Sequence, residues 1–239
     1  MGFVLPIGQL LVWAIPHLSL ELTDQFWRDV LGSFSLSLLA MMIITTFALL
    51  LAFAARTQSS YLANWSVKIS TLGYALPGTL LAVGLLAPIA AIDHYLARLG
   101  FAAPVLQGSI VVMLLAYSVR FMAVAFSPIE NNLLRVTPSI DAASRSLSVW
   151  GLSMLWRVHF PMIRVGVLTA MVLVFVDVMK ELPITLMTRP FGFNTLALRI
   201  YELSSEGLWQ RAALPALAIV LVGLIPVVIL ILRADKVQQ

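Results

Sequence analysis

Three ionisable residues stand close together in an otherwise apolar stretch near residue 180. Asp177, Lys180 and Glu181 follow the uncharged run 165–176 and precede Pro183. Residues three and four apart share one face of a helix, so we expect all three on one face, with Asp177 paired to Lys180. A charge at the centre of a bilayer costs about 2.5–3.5 kcal/mol on insertion scales. The group therefore requires partners or water.

A fourth charged residue, Arg120, stands in a separate apolar stretch, 107–128. We expect it to be paired or to reach an interface, and Glu181 to lie near it or in a water-filled path. Pro183 lacks a backbone donor and should kink or end its helix, and the freed carbonyl would need protein or water. Our hypothesis assigns Asp177, Lys180, Glu181 and Arg120 to a translocation path or its outer gate. A structural polar cluster, or charges wetted at the outer interface, are the open alternatives.

The elements that position these residues are predicted by the length of the uncharged runs. The chain has 239 residues, of which 61% are hydrophobic and 11% charged, a balance that a soluble domain of this size does not need. Uncharged runs at 31–55, 69–92 and 212–232 each reach the roughly 20 residues that cross a bilayer as a helix. The sequence predicts an all-α integral membrane protein, one domain over residues 1–239, with helices at about 2–18, 31–55, 68–92, 107–128, 163–187 and 211–233.

The distribution of Lys and Arg predicts the orientation of these helices. With the N-terminus inside, eight Lys and Arg residues, including Arg233 and Lys236, fall in cytoplasmic segments and five in outer ones. Both termini and the segment 129–162 are therefore predicted to be cytoplasmic. The net charge of +4 then reflects topology and indicates no nucleic-acid partner.

Most forms of catalysis find no support in the sequence. There is no cysteine, so disulfides and thiolate chemistry are excluded, and there is no phosphate-binding G-x-x-x-x-G-K-[ST] loop. His17, His94 and His159 have no partners at metal-ligand spacing and are expected at the membrane interface. We expect no catalytic residue, no metal site and no cofactor held by this chain.

The segment 129–162 predicts a helix–turn–helix at the membrane surface. Thr137-Pro138-Ser139 is a helix-start signal, and Asp141 falls in the first turn, where a negative charge suits the helix dipole. A second apolar-basic piece follows at 149–160, and Pro161 is expected to end it. An amphipathic connector resting on lipid headgroups is the alternative.

This segment resembles the EAA loop of binding-protein-dependent ABC importer permeases. The family's I-x-L-P ending matches Val158-His159-Phe160-Pro161. Counting back, the E-A-A triplet falls on Ala142-Ala143-Ser144, with Asp141 one residue before the glutamate position, and the family's glycine falls on Ser148. The stretches 74–86 ("YALPGTLLAVGLL"), 176–203 and 212–227 resemble the ferric-iron branch of these permeases, in the second of two fused six-helix halves.

The resemblance implies a type I ABC importer permease (MetI-like) fold in the bacterial inner membrane. It implies import of ferric iron by alternating access, driven by a separate ABC ATP-binding subunit that holds ATP and Mg. The other implied partners are a periplasmic or extracellular substrate-binding protein, membrane lipid, and a second permease half or second copy. The residues that would couple to the ATPase are Asp141, Ala142, Ala143, Ser144, Ser148 and Pro161. An ion-coupled secondary transporter using the buried acids, and a membrane scaffold without transport, remain as alternatives.

Overall fold

A computed structural model describes residues 2–58, 60–101 and 104–235, with side chains as far as Val228. Its helices are α1 (Val4–Ala14), a 3-10 turn (Ile15–His17), α2 (Leu18–Glu21), α3 (Asp24–Thr57), α4 (Tyr61–Thr71), a 3-10 turn (Leu72–Ala75), α5 (Gly78–Arg98), α6 (Ile110–Leu133), α7 (Pro138–Ser146), α8 (Leu152–Met154), a π-turn (Leu155–His159), α9 (Phe160–Met179), α10 (Pro183–Thr188), α11 (Leu196–Ser205) and α12 (Trp209–Asp235). Lys236 and the Arg233 side chain, both used in the predicted orientation, lie outside this description.

The prediction of an all-helical fold with six spans is confirmed. In the described part of the chain there is no strand, and six segments are long and apolar enough to cross a membrane: Val4–Glu21, Asp24–Thr57, Gly78–Arg98, Ile110–Leu133, Leu152–Met179 and Trp209–Val228. The second span begins earlier than predicted because the Thr23 hydroxyl caps α3, accepting from the backbone N–H of Phe26 at 3.4 Å.

The core lies where α3, α6 and α9 pack against one another. Small residues allow these helices to approach closely. Ala40 on α3, Ala116 on α6 and Ala170 on α9 are fully buried, and a Cβ at Gly166 would lie 2.7 Å from the Pro128 carbonyl oxygen. The outward faces carry exposed Leu, Val, Ile and Phe side chains, as lipid contact requires.

The first and last spans pair at the edge of the bundle. Ala14 of α1 packs with Ala213 and Leu217 of α12 in a small separate apolar cluster. The Glu21 carboxylate, 3% exposed, lies 3.3 Å from Arg199 Nη2 on α11 and also binds Arg211 Nε on α12. One buried acid therefore joins the N-terminal span to the last two helices.

Two predicted helices, 68–92 and 163–187, are interrupted, which corrects the sequence prediction. The first breaks at Leu76-Pro77, so that its membrane-capable part is α5 rather than 68–92. The second ends at Met179, and Pro183 begins α10, as a residue without a backbone donor allows at a first helical position. Other prolines remain inside α5, α6 and α12 without ending them. Proline alone therefore does not decide where these helices break.

The segment 129–162 is more helical than predicted. Helix α6 continues to Leu133, α7 occupies Pro138–Ser146, and a single helical path runs from Leu152 into α9. The prediction that Pro161 ends a separate helix is wrong. A proline ring clashes with the carbonyl four residues earlier, which here is that of Arg157, and the wider π-turn Leu155–His159 lies at that place.

The 3-10 turn Leu72–Ala75, before the first break, packs tightly against α6 at Gly73. A Cβ added at Gly73 would lie 2.0 Å from the backbone oxygen of Val119. We expect Gly73→Ala to destabilise the protein by about 1–3 kcal/mol through overpacking, measured by thermal unfolding in detergent. Gly84→Ala is the matched control, because nothing lies within 4 Å of its added Cβ, and it should leave stability unchanged or slightly raised. Equal melting temperatures for the two variants would contradict this packing.

Candidate functional site

Arg120 joins the two helix breaks at the middle of the bundle. Its Nη1 donates a hydrogen bond of 2.6 Å to the backbone carbonyl of Leu76, in the first break. Its Nε lies 3.5 Å from Oε2 of Glu181, in the second break. The predicted proximity of Arg120 and Glu181 is confirmed. We call the group Leu76, Gly78, Arg120 and Glu181 the polar junction.

Glu181 is buried in the second break and organises the helix that follows. Its side chain accepts from the Ile184 backbone N–H at 3.3 Å. Its backbone carbonyl accepts from the Thr185 hydroxyl at 2.5 Å. Because the Thr185 hydroxyl proton is used in that bond, Thr185 Oγ1 accepts from the Tyr117 hydroxyl, which lies 2.5 Å away. The start of α10 is thus tied to α6 by a chain of hydrogen bonds.

Gly78 completes the polar junction because a larger residue would not fit there. An added Cβ would lie 2.9 Å from Glu181 Oε1 and 3.2 Å from Pro183 Cβ. The start of α5 therefore presses directly on the second break and on the ion pair. A displacement of either break relative to α6 must disturb these contacts, so the arrangement is able to work as a closure point.

Asp177 and Lys180 lie apart from the polar junction. They form the predicted ion pair, at 2.9 Å, with the Lys180 side chain 62% exposed. Lys180 also lines a groove of about 270 Å³ between α9 and α12. The prediction that both residues share a helix face with Glu181 is wrong, because α9 ends at Met179. The alternative that these charges are merely hydrated at the outer interface does not fit Glu181, because this residue is only 8% exposed.

The carboxylates of Asp177 and Glu181 do not belong to a metal cluster among the described residues. Over 2–58, 60–101 and 104–235, no three His, Asp or Glu side chains come together in a way that could hold an ion. Asp177 and Glu181 are instead occupied by Lys180 and Arg120.

The ion pair of the polar junction should couple energetically. Removing one partner of a buried pair leaves the other uncompensated, so Arg120→Gln and Glu181→Gln should each lower the free energy of unfolding by about 1–3 kcal/mol. The double variant should lose less than the sum of the two, as measured by denaturant unfolding in detergent micelles. Lys180→Gln is the control, since an exposed pair contributes about 0–1 kcal/mol. Strict additivity of the two junction variants would show that Arg120 and Glu181 do not interact.

At one end of the bundle, which we call the loop end, the Asp141 carboxylate of α7 points into the protein. Its Oδ2 lies 2.9 Å from Arg56 Nη2 and its Oδ1 lies 2.8 Å from His159 Nε2. Burial raises the pKa of Asp141, but the hydrogen bond from His159 and the charge of Arg56 outweigh it. The pKa therefore lies below its ordinary value, and Asp141 is ionised at neutral pH.

Sequence reasoning missed two residues of this group. Arg56 reads as an ordinary positive residue at a helix end, and His159 was expected at the membrane interface. The interface prediction is wrong for His159, which is 0% exposed. Their contacts with Asp141 span 85 and 18 residues, so no local motif marks them. The I-x-L-P ending gives no signal either, because His159 falls on its unspecified position.

The predicted coupling residues divide into exposed and buried ones. Ala142, Ala143, Ser148 and Pro161 are exposed, whereas Ser144 is buried and donates to the Ile140 carbonyl at 2.8 Å. Ser144 therefore lies on the side of α7 that faces the bundle, and its predicted part in coupling stays a prediction. The exposed surface continues into Leu147, 77% exposed, and Trp150, 74% exposed.

Ser148 adopts a left-handed backbone conformation, with φ of 61°, and is the only non-glycine residue to do so in the described ranges. The resemblance places the family's glycine at this position. Glycine adopts this conformation without the cost that a side chain incurs. A glycine would therefore suit this turn better than the serine present here.

Replacing Ser148 should reveal that cost. We expect Ser148→Gly to stabilise the protein by about 1 kcal/mol, since left-handed backbone costs a non-glycine residue about 1–2 kcal/mol. The control is Ser146→Gly, at the exposed last residue of α7, which should destabilise by about 0.5 kcal/mol because glycine loses more conformational freedom in a helix. Thermal unfolding of both variants checks this. A loss of stability in Ser148→Gly would contradict the strained conformation.

Comparisons with known proteins support the resemblance. No family model matches the chain. Over 235 residues it is 29% identical to the Fe(3+)-transport system permease protein FbpB 2 of Haemophilus influenzae, with 95% of this chain and 44% of that protein covered. Over 238 residues it is 25% identical to PhnV of Salmonella typhimurium, named as a 2-aminoethylphosphonate transport system permease protein, with 99% of this chain and 82% of that protein covered. The chain therefore spans less than half the length of FbpB 2.

Solved structures show the same fold. A chain of a bacterial ABC transporter involved in the import of the acidic polysaccharide alginate superimposes with a TM-score of 0.81, covering 99% of this chain and 91% of that one at 14% identity. The alginate ABC transporter in complex with a periplasmic protein bound to an alginate pentasaccharide gives a TM-score of 0.78. The relatives are thus permease proteins of transport systems, and the fold is that of ABC transporter membrane chains.

Proposed function

We propose that this chain is the permease subunit of a binding-protein-dependent ABC importer in the bacterial inner membrane. It moves a substrate by alternating access while a separate subunit binds and hydrolyses ATP with Mg. The observation that carries this proposal is similarity to two transport-system permeases over 95% and 99% of the chain. Six membrane-capable helices and the shared fold support it.

The loop end would be the docking surface for the ATP-binding subunit. Ala142 and Ala143 leave a small-residue face on α7 exposed, beside the apolar side chains of Leu147 and Trp150. Small residues allow close approach, and a large aromatic side chain such as Trp150 is the type of anchor enriched at interface centres. A substrate-binding protein would dock at the opposite end, and a second permease half or copy would complete the path.

The polar junction would be the gate of that path. Arg120 and Glu181 hold both helix breaks closed against α6, and broken helices at membrane depth are tolerated where they line a cavity or are buried in protein. Opening would separate these contacts and expose charged groups to the substrate.

Ferric iron is the substrate we propose. The stretches 74–86, 176–203 and 212–227 resemble the ferric-iron branch, and FbpB 2 is named for Fe(3+) transport. Ferric ion is a hard cation that prefers oxygen ligands, which Glu181, Tyr117 and Thr185 offer along the gate. Because PhnV is named for 2-aminoethylphosphonate, that compound is the necessary competitor in the test.

The test starts from purification in mild detergent, with mass spectrometry of the proteins that accompany the chain. We expect an ABC ATP-binding subunit at equal amounts, and ATP-dependent uptake of radiolabelled ferric ion into proteoliposomes with the matching binding protein. Uptake of 2-aminoethylphosphonate alone would reject iron but keep the importer. Purification without an ATPase, together with uptake that survives ATP depletion, would reject the importer.

A bulky residue on α7 should separate ATP hydrolysis from uptake. Ala143 is exposed, so Ala143→Trp leaves the packing of this chain intact while blocking close approach of a partner. We expect uptake per ATP hydrolysed to fall about tenfold, the equivalent of roughly 1.4 kcal/mol. Ala97→Trp, at an exposed position near the end of α5, is the control. Normal uptake in Ala143→Trp would place the docking surface elsewhere.

A further inference from the structure

We propose that Arg56, Asp141 and His159 form a joint that transmits displacement of α7 to α3, α6 and α9, with Asp141 acting inside this chain and not as a contact for the ATP-binding subunit. We call these three residues the loop joint. The inference rests on the proposed function, because α7 is displaced only if a partner docks on it.

Arg56 connects three helices through one side chain. It extends from the last turn of α3. Its Nη1 donates to the Leu133 carbonyl at 2.7 Å and its Nη2 to the Val136 carbonyl at 2.8 Å. Its Nε donates to Asp141 Oδ2 at 3.1 Å. Leu133 is the last residue of α6, where carbonyls lack helical partners and a positive charge is favourable. Arg56 therefore fixes the end of α6 and the start of α7 to α3.

His159 adds the fourth helix. Its Nε2 donates to Asp141 Oδ1 at 2.8 Å, and its ring packs edge-on to Phe53 of α3 with centroids 5.5 Å apart. His159 ends the π-turn that leads into α9. Both carboxylate oxygens of Asp141 are thus engaged within the chain, one by α3 and one by the base of α9.

The geometry of the loop joint favours stiffness. Hydrogen bonds to an ionised carboxylate are shorter and stronger than neutral ones, and Asp141 accepts them at both oxygens, Oδ2 from Arg56 and Oδ1 from His159. Outside the loop joint, the chain leaves helical geometry at the left-handed turn around Ser148 and Gly151, between α7 and α8. A push on α7 would therefore turn α3, α6 and α9 together and bend the chain at this turn, because the π-turn is itself held by His159.

The loop joint determines which part of α7 the ATP-binding subunit can contact. The Asp141 side chain is 17% exposed and is already paired, whereas the neighbouring Ala142 and Ala143 are exposed. The ATP-binding subunit would then recognise α7 by shape, and loss of the Asp141 charge would leave its affinity nearly unchanged while loosening the movement of α7 relative to the spans.

Spin labels can measure this directly, because the chain has no cysteine of its own. Labels at Ser146→Cys on α7 and Leu39→Cys on α3 report the distance between these helices in the nanodisc complex, with and without Mg-ATP and vanadate. In the otherwise unchanged chain we expect a narrow distribution that moves by only about 2 Å, since the two helices turn as one body. Asp141→Asn and Arg56→Gln should broaden it about twofold through local opening.

Two further variants separate a joint from a general loss of stability. Asp141→Glu keeps the charge and should restore the narrow distribution, while Arg98→Gln, which removes an arginine far from the loop end, should not broaden it. The affinity of the ATP-binding subunit for Asp141→Asn should stay within about threefold of that for the unchanged chain. A direct energetic coupling between Asp141 and the subunit would change the affinity by about fivefold or more.

Either of two results would overturn the proposal. An unchanged distance distribution in Asp141→Asn would show that Asp141 does not hold α7. A tenfold or greater loss of affinity of Asp141→Asn for the ATP-binding subunit, equivalent to about 1.4 kcal/mol or more, would show that Asp141 contacts that subunit. If no ATP-binding subunit accompanies the chain, the proposed function fails, but the width of the distribution in the isolated chain still tests the joint.

Discussion

Inside a hydrocarbon layer, a backbone carbonyl without a hydrogen-bond partner costs several kcal/mol, so a helix can break there only where another part of the protein supplies a donor. This chain breaks two helices, and side chains supply the donors: Arg120 donates to the Leu76 carbonyl in the first break and Thr185 to the Glu181 carbonyl in the second. Arg120 also faces the Glu181 carboxylate, so one side chain contacts both breaks. The positions of α5 and α10 relative to α6 depend on this contact.

A second arginine has a comparable role at the loop end. Arg56 donates to the carbonyls of Leu133, at the end of α6, and of Val136, and it pairs with the carboxylate of Asp141 on α7. Each arginine thus stabilises a departure from straight helices, Arg120 at the two helix breaks and Arg56 at the end of α6 beside the exposed surface of α7. If the protein is a transporter, these are the places where its gate and its coupling to ATP hydrolysis would be found.

Much of the fold could be predicted because membrane crossing depends on local composition. The six spans and the start of α7 follow from uncharged length and a helix-start signal. The break at Leu76-Pro77 could not be predicted, because Pro88 and Pro128 lie within intact helices. What distinguishes Pro77 is the donor from Arg120, which is distant in sequence. The pairing of Arg120 with Glu181 could be expected, because both are charged residues in apolar stretches that need a partner. The pairing of Asp141 with Arg56 and His159 could not be expected, because all three lie near helix ends, where charged residues are common. The substrate is least determined, since relatives named for Fe(3+) and for 2-aminoethylphosphonate align along nearly the whole chain.

The ion pairs of Glu21 impose an order on biosynthesis. The acid is made early, and its partner Arg211 follows 190 residues later. At roughly 5–20 residues per second, the first helix must wait on the order of 10–40 s before its partner leaves the ribosome. Until Arg199 and Arg211 are made, 178 and 190 residues after Glu21, the carboxylate lacks both of the partners that it has in the bundle. The span that carries Glu21 can therefore take its described place only after α12 has been inserted.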